Sequence, residues 1–349
     1  MVEKYFTLQW HLTAECDQRC KHCYMYDEPT YASELRNALS TKAVFQVIDD
    51  FTATIKQWGL NGRINFTGGD PLLRFDFFEI LKYASQKGLL LGILGNPFHI
   101  NEATALELKE LGVKKYQISI DGMEKTHDAI RRPGSFKESI RALRVLKKAG
   151  IQTDVMFSLT KANMNELQAV IDLVAREGID QFAFARVAAV GSGKNFRELM
   201  PTPAEYRKFL LKTLKHYQQL EAQGVHTQFI RKDNLWQLLY DELELLPKLP
   251  LDNETIYGGC AVGIASLCIL ADGTVYACRR FPSPVGKVPD QKIKDIFLGE
   301  KLDFYRSTEK FKKCSNCNLL QICRGCPAVA YGISSDFYAA DPQCWKKTS

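Results

Sequence analysis

Leu12-Thr13-Ala14-Glu15-Cys16-Asp17-Gln18-Arg19-Cys20-Lys21-His22-Cys23-Tyr24 sets three cysteines in one loop, directly behind an apolar run that reads as a strand, Phe6 to Leu12. Four thiolates would close a 4Fe-4S cluster against chemistry. Three leave one iron with an open position, the feature that separates a catalytic metal site from a structural one, so the loop reads as reactive.

Every other cysteine lies past residue 255: Cys260, Cys268, Cys278, Cys314, Cys317, Cys323, Cys326 and Cys344. They suffice for two complete four-thiolate sets. A total of 11 cysteines is odd, the chain is 349 residues long, and residues 1 to 15 hold no signal-peptide h-region. A disulfide framework therefore fits badly and a reducing cytosol fits well. The apolar share of 46% and charged share of 25% are globular averages, and no apolar run nears the ~20 residues of a membrane helix, so a soluble protein without a membrane partner is expected. The net charge of +6 is scattered, and pairs such as Lys114-Lys115 and Arg131-Arg132 lack interleaved aromatic residues, which argues against nucleic acid as a partner.

Short apolar runs alternate with amphipathic stretches up to about residue 190, the pattern of strand–helix units in a parallel sheet. Strands are expected at Phe6 to Leu12, Arg63 to Phe66, Leu89 to Leu94, Tyr116 to Ile120, Thr153 to Leu159 and Gln181 to Arg186. A helix at Lys42 to Lys56 opens on Ser40 or Thr41 and carries Val44, Ile48 and Phe51 on one stripe. The expected fold is α/β, a partial (β/α)6 TIM-like barrel over 1–200, with a helical linker region over 201–254 and a Cys-rich domain over 255–349. Pro247, Pro250 and Asp252-Asn253-Glu254 mark the last boundary. Barrel sites lie in the loops after the strands, where the cysteine loop sits.

The CxxxCxxC run followed by Tyr24 resembles the signature of the radical S-adenosylmethionine (SAM) enzymes. The resemblance implies a 4Fe-4S cluster on Cys16, Cys20 and Cys23, with SAM on its fourth iron and Tyr24 near the adenine. It implies reductive cleavage of SAM to a 5'-deoxyadenosyl radical that abstracts hydrogen from substrate. Phe66-Thr67-Gly68-Gly69-Asp70-Pro71-Leu72 is similar to the family's GGE motif, with Asp70 in place of the commoner Glu. By that likeness Gly68, Gly69 and Asp70 bind the methionyl amino group. Ser119-Ile120-Asp121-Gly122, with His127-Asp128-Ala129-Ile130-Arg131, resembles the SxDG and HDxxR run of the same family, which places Ser119 and Arg131 on the ribose or carboxylate. Asp121 reads equally as the cap of the next helix. Asn96 and Gly191 stand either in family-like places or as turn residues. The competing reading of the loop is a zinc site completed by His22 or a distant cysteine.

The later cysteines, with Gly273-Thr274-Val275-Tyr276-Ala277-Cys278, resemble a SPASM domain, the auxiliary-cluster module of peptide-modifying and sulfatase-maturing enzymes. The resemblance implies one 4Fe-4S cluster on Cys260, Cys268, Cys278 and Cys326 and another on Cys314, Cys317, Cys323 and Cys344, three clusters in all. Cys323 and Cys326 are separated by two residues where many relatives have three. A pair of zinc ribbons could use the same thiolates.

Fully ligated auxiliary clusters point to electron transfer, hence to oxidative modification of a peptide or protein substrate, such as a thioether or carbon–carbon cross-link. An electron donor such as flavodoxin or ferredoxin is implied. With fifteen residues before Cys16, leader recognition would fall to a separate leader-peptide-binding protein or to direct docking. Sulfatase maturation is a rival, although an Asp commonly follows the cysteine of the Gly-x4-Cys motif there and this chain has Arg279. By analogy Arg279 and Tyr24 face the cavity; no residue is singled out as catalytic acid or base. Tetrapyrrole or other small-molecule modification is a second enzyme reading, and a ferredoxin-like electron carrier is the reading outside the class.

Overall fold

The computed structural model describes residues 4–25, 28–246 and 255–347. All six expected strands are present and lie parallel in chain order: β1 (Tyr5–Thr13), β2 (Asn61–Gly68), β3 (Leu90–Leu94), β4 (Val113–Ser119), β5 (Gln152–Leu159) and β6 (Gln181–Arg186). The helix Thr41–Trp58 starts on Ser40, whose side chain accepts from the Ala43 N–H, and buries Val44, Ile48 and Phe51 as the stripe requires.

The sheet runs past six strands at both edges. β7 (Gln228–Ile230) pairs in parallel with β6, so the stretch read as a helical linker contains a further unit of the sheet, between the helices Pro203–Ala222 and Trp236–Glu242. Three residues are too few to show a strand period beside 20 residues of helix. At the other edge β8 (Ser266–Ile269) pairs in parallel with β1, matching Thr7 to Ser266 and Trp10 to Ile269. β9 (Thr274–Tyr276) and β10 (Pro284–Lys287) follow it antiparallel. The Cys-rich segment thus continues the barrel sheet instead of standing apart. The Pro247-to-Glu254 boundary lies outside the described residues.

The two faces of the sheet differ in chemistry. Leu8, Trp10, Ile64, Phe66, Ile93, Ile118, Val155, Phe157 and Phe182 are sealed beneath the helices. Alternate residues, among them Gln9, Thr67, Gln117, Ser119, Met156 and Ser158, point into the lumen and line a cavity. Each fully buried Leu, Ile or Phe contributes about 1.5–3 kcal/mol, so the helix–sheet layer carries the stability and the lumen is free to be polar. Parallel strands packed on both faces read as continuous apolar runs; the alternation in β1 marks a face kept for a ligand.

One buried network ties the barrel to the C-terminal segment. Arg186, at the end of β6, is 2% exposed. Its guanidinium donates to Asp233 at 2.8 Å, to both oxygens of Asp341 at 2.6 and 2.8 Å, and to Gln343 at 2.6 Å. Asp341 also accepts from the Cys326 N–H at 2.7 Å. The helix Pro327–Ser334 starts immediately after Cys326, above a small second core of Phe281, Phe311, Phe337 and Tyr338.

Candidate functional site

The lumen opens into a cavity of about 370 Å³ at the C-terminal ends of the strands, with Cys16, Cys20 and Cys23 on its wall. Burial pushes the Cys20 thiol up to about 12, opposed by the Arg131 guanidinium and reinforced by Cys23 and Cys16. A metal that displaces that proton would find its thiolate charge already countered, since Arg131 Nη1 is 3.5 Å from Cys20 Sγ.

The thiol spacing bears on which metal fits. A tetrahedral zinc site with Zn–S bonds of about 2.3 Å holds its sulfurs about 3.8 Å apart. Among the described residues, the only three metal-ligating side chains with atoms within 4.8 Å of one another are Asp17, Asp70 and His99. No such compact set forms from the thiols, with or without His22. A cubane carrying one thiolate per iron holds its ligands farther apart than a single zinc ion does.

Two sequence motifs fold back to hold this loop. Asp121 is fully buried, and its Oδ2 accepts from Arg131 Nε at 2.6 Å and stands 3.1 Å from His22 Nε2. Its Oδ1 accepts from the Ser158 N–H at 2.7 Å. Burial alone would raise its carboxyl, but Arg131 and His22 hold it well below the usual carboxylate range. Asp121 does not cap the next helix, Glu124–Ile130, which starts on Met123 without a side-chain cap. His127 is held down to about 4 by burial, with the Arg131 charge adding. Its neutral ring accepts from the Asp121 N–H through Nδ1 and donates to Ser135 through Nε2, while Gln18 donates to the same hydroxyl. The Lys21 N–H bonds to the Ile130 carbonyl and Arg132 to that of Asp17. Arg131 and Ser119 also line the cavity.

Gly68 and Gly69 line the cavity where β2 meets the loop. A Cβ on Gly69 would lie 1.9 Å from the Glu15 carbonyl oxygen, so only glycine lets the two backbones meet. Gly69→Ala is expected to keep the secondary structure by circular dichroism and to lose SAM cleavage by about a hundredfold, the effect of an ångström-scale displacement of reacting groups. Unchanged 5'-deoxyadenosine formation would refute this role. Gly191, at φ 58, sits similarly close, with the Tyr24 carbonyl 2.6 Å from where its Cβ would be; the Ser192 N–H bonds to the Cys23 carbonyl.

Asp70 lies apart from the two glycines of its motif. It is fully buried behind Gly69 and does not line the cavity; its Oδ1 accepts from the Leu72 N–H at 3.3 Å, and Oδ2 has no partner. Burial pushes this carboxyl up to about 7. One methylene shorter than Glu, the side chain reaches its own turn before it reaches the cavity. Arg279 is likewise buried behind the wall, with Nε 3.1 Å from His11, Nη2 3.4 Å from Glu34, and its guanidinium 5.8 Å from the ring centre of Tyr24. Tyr24 itself lines the cavity, its hydroxyl pushed up to about 12 by burial.

The fold also brings in residues the motifs did not indicate. Glu34 reaches the cavity from the helix Glu28–Arg36 with one oxygen unpartnered. Asp17 accepts from Asn96 at 2.8 Å and sits 2.9 Å from His99 Nε2, which fixes the loop between Cys16 and Cys20. Lys232 and Arg280 arrive from opposite ends of the sheet order. None of these pairings has a local spacing that could announce it.

The C-terminal thiols gather in two groups. Burial pushes Cys260 and Cys268 up to about 12 and Cys278 up to about 11; Cys278 acts on the first two, and Cys326 on Cys260 and Cys278. Cys314 is pushed up to about 11 by burial, with Cys344 and Cys317 adding, and Cys323 is raised by burial in the same neighbourhood. Backbone N–H groups of Gly325 and Leu319 approach the sulfurs of Cys323 and Cys317 at 3.4 and 3.5 Å, and Arg280 approaches Cys326 at 3.3 Å, contacts that tune iron–sulfur centres.

Comparison with known proteins agrees with this geometry. The profile of the radical SAM superfamily matches residues 10–174, and that of the SPASM iron-sulfur cluster-binding domain matches residues 260–327. The chain is 28% identical to the AdoMet-dependent heme synthase of Oleidesulfovibrio alaskensis over 97% of its own length and 86% of the relative's. It is 27% identical to the mycofactocin maturase MftC of Mycobacterium ulcerans over 97% and 87%. Streptococcus suis SuiB, in a crystal structure bound to S-adenosylmethionine, superposes with a TM-score of 0.76 over 99% of this chain and 78% of SuiB; at 18% identity that likeness shows the fold alone.

Proposed function

From the premise that this chain is a radical SAM protein with a C-terminal SPASM domain, we propose that it oxidises a tetrapyrrole side chain by hydrogen abstraction. The observation that carries the radical chemistry is the trio of thiols on one cavity wall beside Gly68 and Gly69, spaced too widely for a single zinc ion. Similarity to heme synthases along nearly the whole chain supports the substrate class. When bound, the cluster and SAM supply one electron and a 5'-deoxyadenosyl radical able to take a hydrogen atom from carbon.

The chain's own residues do the positioning. Cys16, Cys20 and Cys23 would hold the cluster of the active site; Gly68 and Gly69 leave room for a methionyl group, Ser119 and Arg131 offer donors to its polar end, and Tyr24 offers a ring face to the adenine. Asp121 keeps Arg131 aimed at the loop. The groups Cys260/Cys268/Cys278/Cys326 and Cys314/Cys317/Cys323/Cys344 would hold acceptors for the electron left on the substrate. An external donor of the flavodoxin or ferredoxin type would supply the first electron, and a thiol-rich composition is in keeping with a reducing cytoplasm. Among the described residues no helix is long and apolar enough to cross a membrane.

The second reading, a peptide substrate presented directly or through a leader-binding partner, draws on the similarity to mycofactocin maturase. The test is anaerobic turnover of reconstituted protein with SAM, reductant, and either an iron porphyrin bearing propionates or candidate cysteine-bearing peptides. The expected result is 5'-deoxyadenosine formed one-for-one with a porphyrin of altered mass. Modification of a peptide, with the porphyrin untouched, would replace the first reading by the second. An electron carrier would form no 5'-deoxyadenosine at all.

A further inference from the structure

We propose that Lys232, with Arg280 beside it, is a subsite that binds a carboxylate of the substrate inside the cavity. Lys232 lies two residues beyond β7, the edge strand six places along the sheet from β1 and its cysteine loop. The side chain is solvent-accessible and lines the cavity wall together with Arg280. Its ammonium meets no hydrogen-bond or ion-pair partner among the described residues. An unpaired ammonium on a cavity wall, among other cations, leaves a charge there that an anionic ligand can neutralise.

The charges around it agree in sign. Arg280 and Lys115 both act on Lys232, while the one nearby carboxylate, Asp154, is already engaged by Lys115 at 3.3 Å and by Gln152 at 2.8 Å. Burial and these cations hold the Lys232 ammonium down to about 8. Arg280 is anchored through the Arg186 carbonyl and Cys326, so its charge stays in place. The Lys232 backbone is equally fixed. Its N–H bonds to the Ile230 carbonyl, and the next residue, Asp233, is locked onto Arg186. A fixed pair of cations on one cavity wall, of which Lys232 has no partner among the described residues, is built for an anion, and a carboxylate can meet both.

The subsite stands on the cavity geometry; only the identity of the carboxylate bearer rests on the tetrapyrrole reading. The test is the rate of Lys232 acetylation by acetic anhydride in the reconstituted holoprotein, followed by peptide mass spectrometry with exposed Lys208 as internal reference. Three probes are used: iron coproporphyrin, its methyl ester and glutarate. Slowing of about tenfold by the porphyrin acid and by glutarate, each at about ten times its dissociation constant, is expected, with no slowing by the ester. Protection by glutarate but not by the porphyrin acid keeps the subsite and removes the tetrapyrrole reading. Equal protection by acid and ester, or protection by neither acid, overturns the subsite.

Discussion

Joint replacement of Cys16, Cys20 and Cys23 by Ala is expected to bring 5'-deoxyadenosine formation to background while the protein still folds. The loop lies on the cavity wall, and its thiols take little part in the apolar core, which sits between the sheet and the helices. Losing them therefore removes the coordination site without opening a cavity in that core. With one cluster at this loop and two at the C-terminal thiols, iron should fall from about twelve to about eight per chain in anaerobically reconstituted protein. Stoichiometric zinc in the wild type, or iron unchanged in the variant, would remove the basis of the radical assignment. Retained cleavage of SAM by the variant would do the same.

Arg186→Met should be strongly destabilising, because it breaks a buried ionic network. Methionine matches the length of the arginine stem but leaves Asp233 and Asp341 buried without their shared cation. Removing one partner of a buried ionic network costs about 3–5 kcal/mol. The loss should show as an earlier urea midpoint in the holoprotein, and it should be partly recovered when Asp233→Asn and Asp341→Asn are added, since neutral amides tolerate burial better than unpaired carboxylates. An unfolding free energy within about 0.5 kcal/mol of wild type would show that the network contributes no stability and does not join barrel to C-terminal segment. Because Asp233 adjoins Lys232, the same exchange should also weaken glutarate protection of that lysine.

Much of the site could be read before the fold was known, for particular reasons. The cysteine loop, the glycine pair and the Asp121–Arg131 run are each short, local motifs, and each stands at the end of a strand that the sequence announces, β1, β2 and β4. The six strands were legible because apolar β-prone runs alternate with an amphipathic helix between them, and Ser40 announced the helix it caps. β7 was missed because three residues beside a long helix carry no period. Asp121 was open between two roles because a carboxylate before a helix looks the same whether it caps that helix or binds an arginine ten residues on. The burial of Asp70 was not legible, because it depends on how the Gly68-Gly69 turn packs against the cysteine loop.

Local order in the chain thus determined the strand–helix alternation, the open three-thiol loop and the supply of further thiols, because each depends on neighbours fixed by covalent spacing. Tertiary structure alone decided that β8 lies against β1, that Arg186 is shared by Asp233 and Asp341, and that Lys232 and Arg280 meet in the lumen. Those encounters join residues tens to hundreds of positions apart. They are set by how the sheet pairs and the helices pack, and no short-range pattern of side chains encodes them.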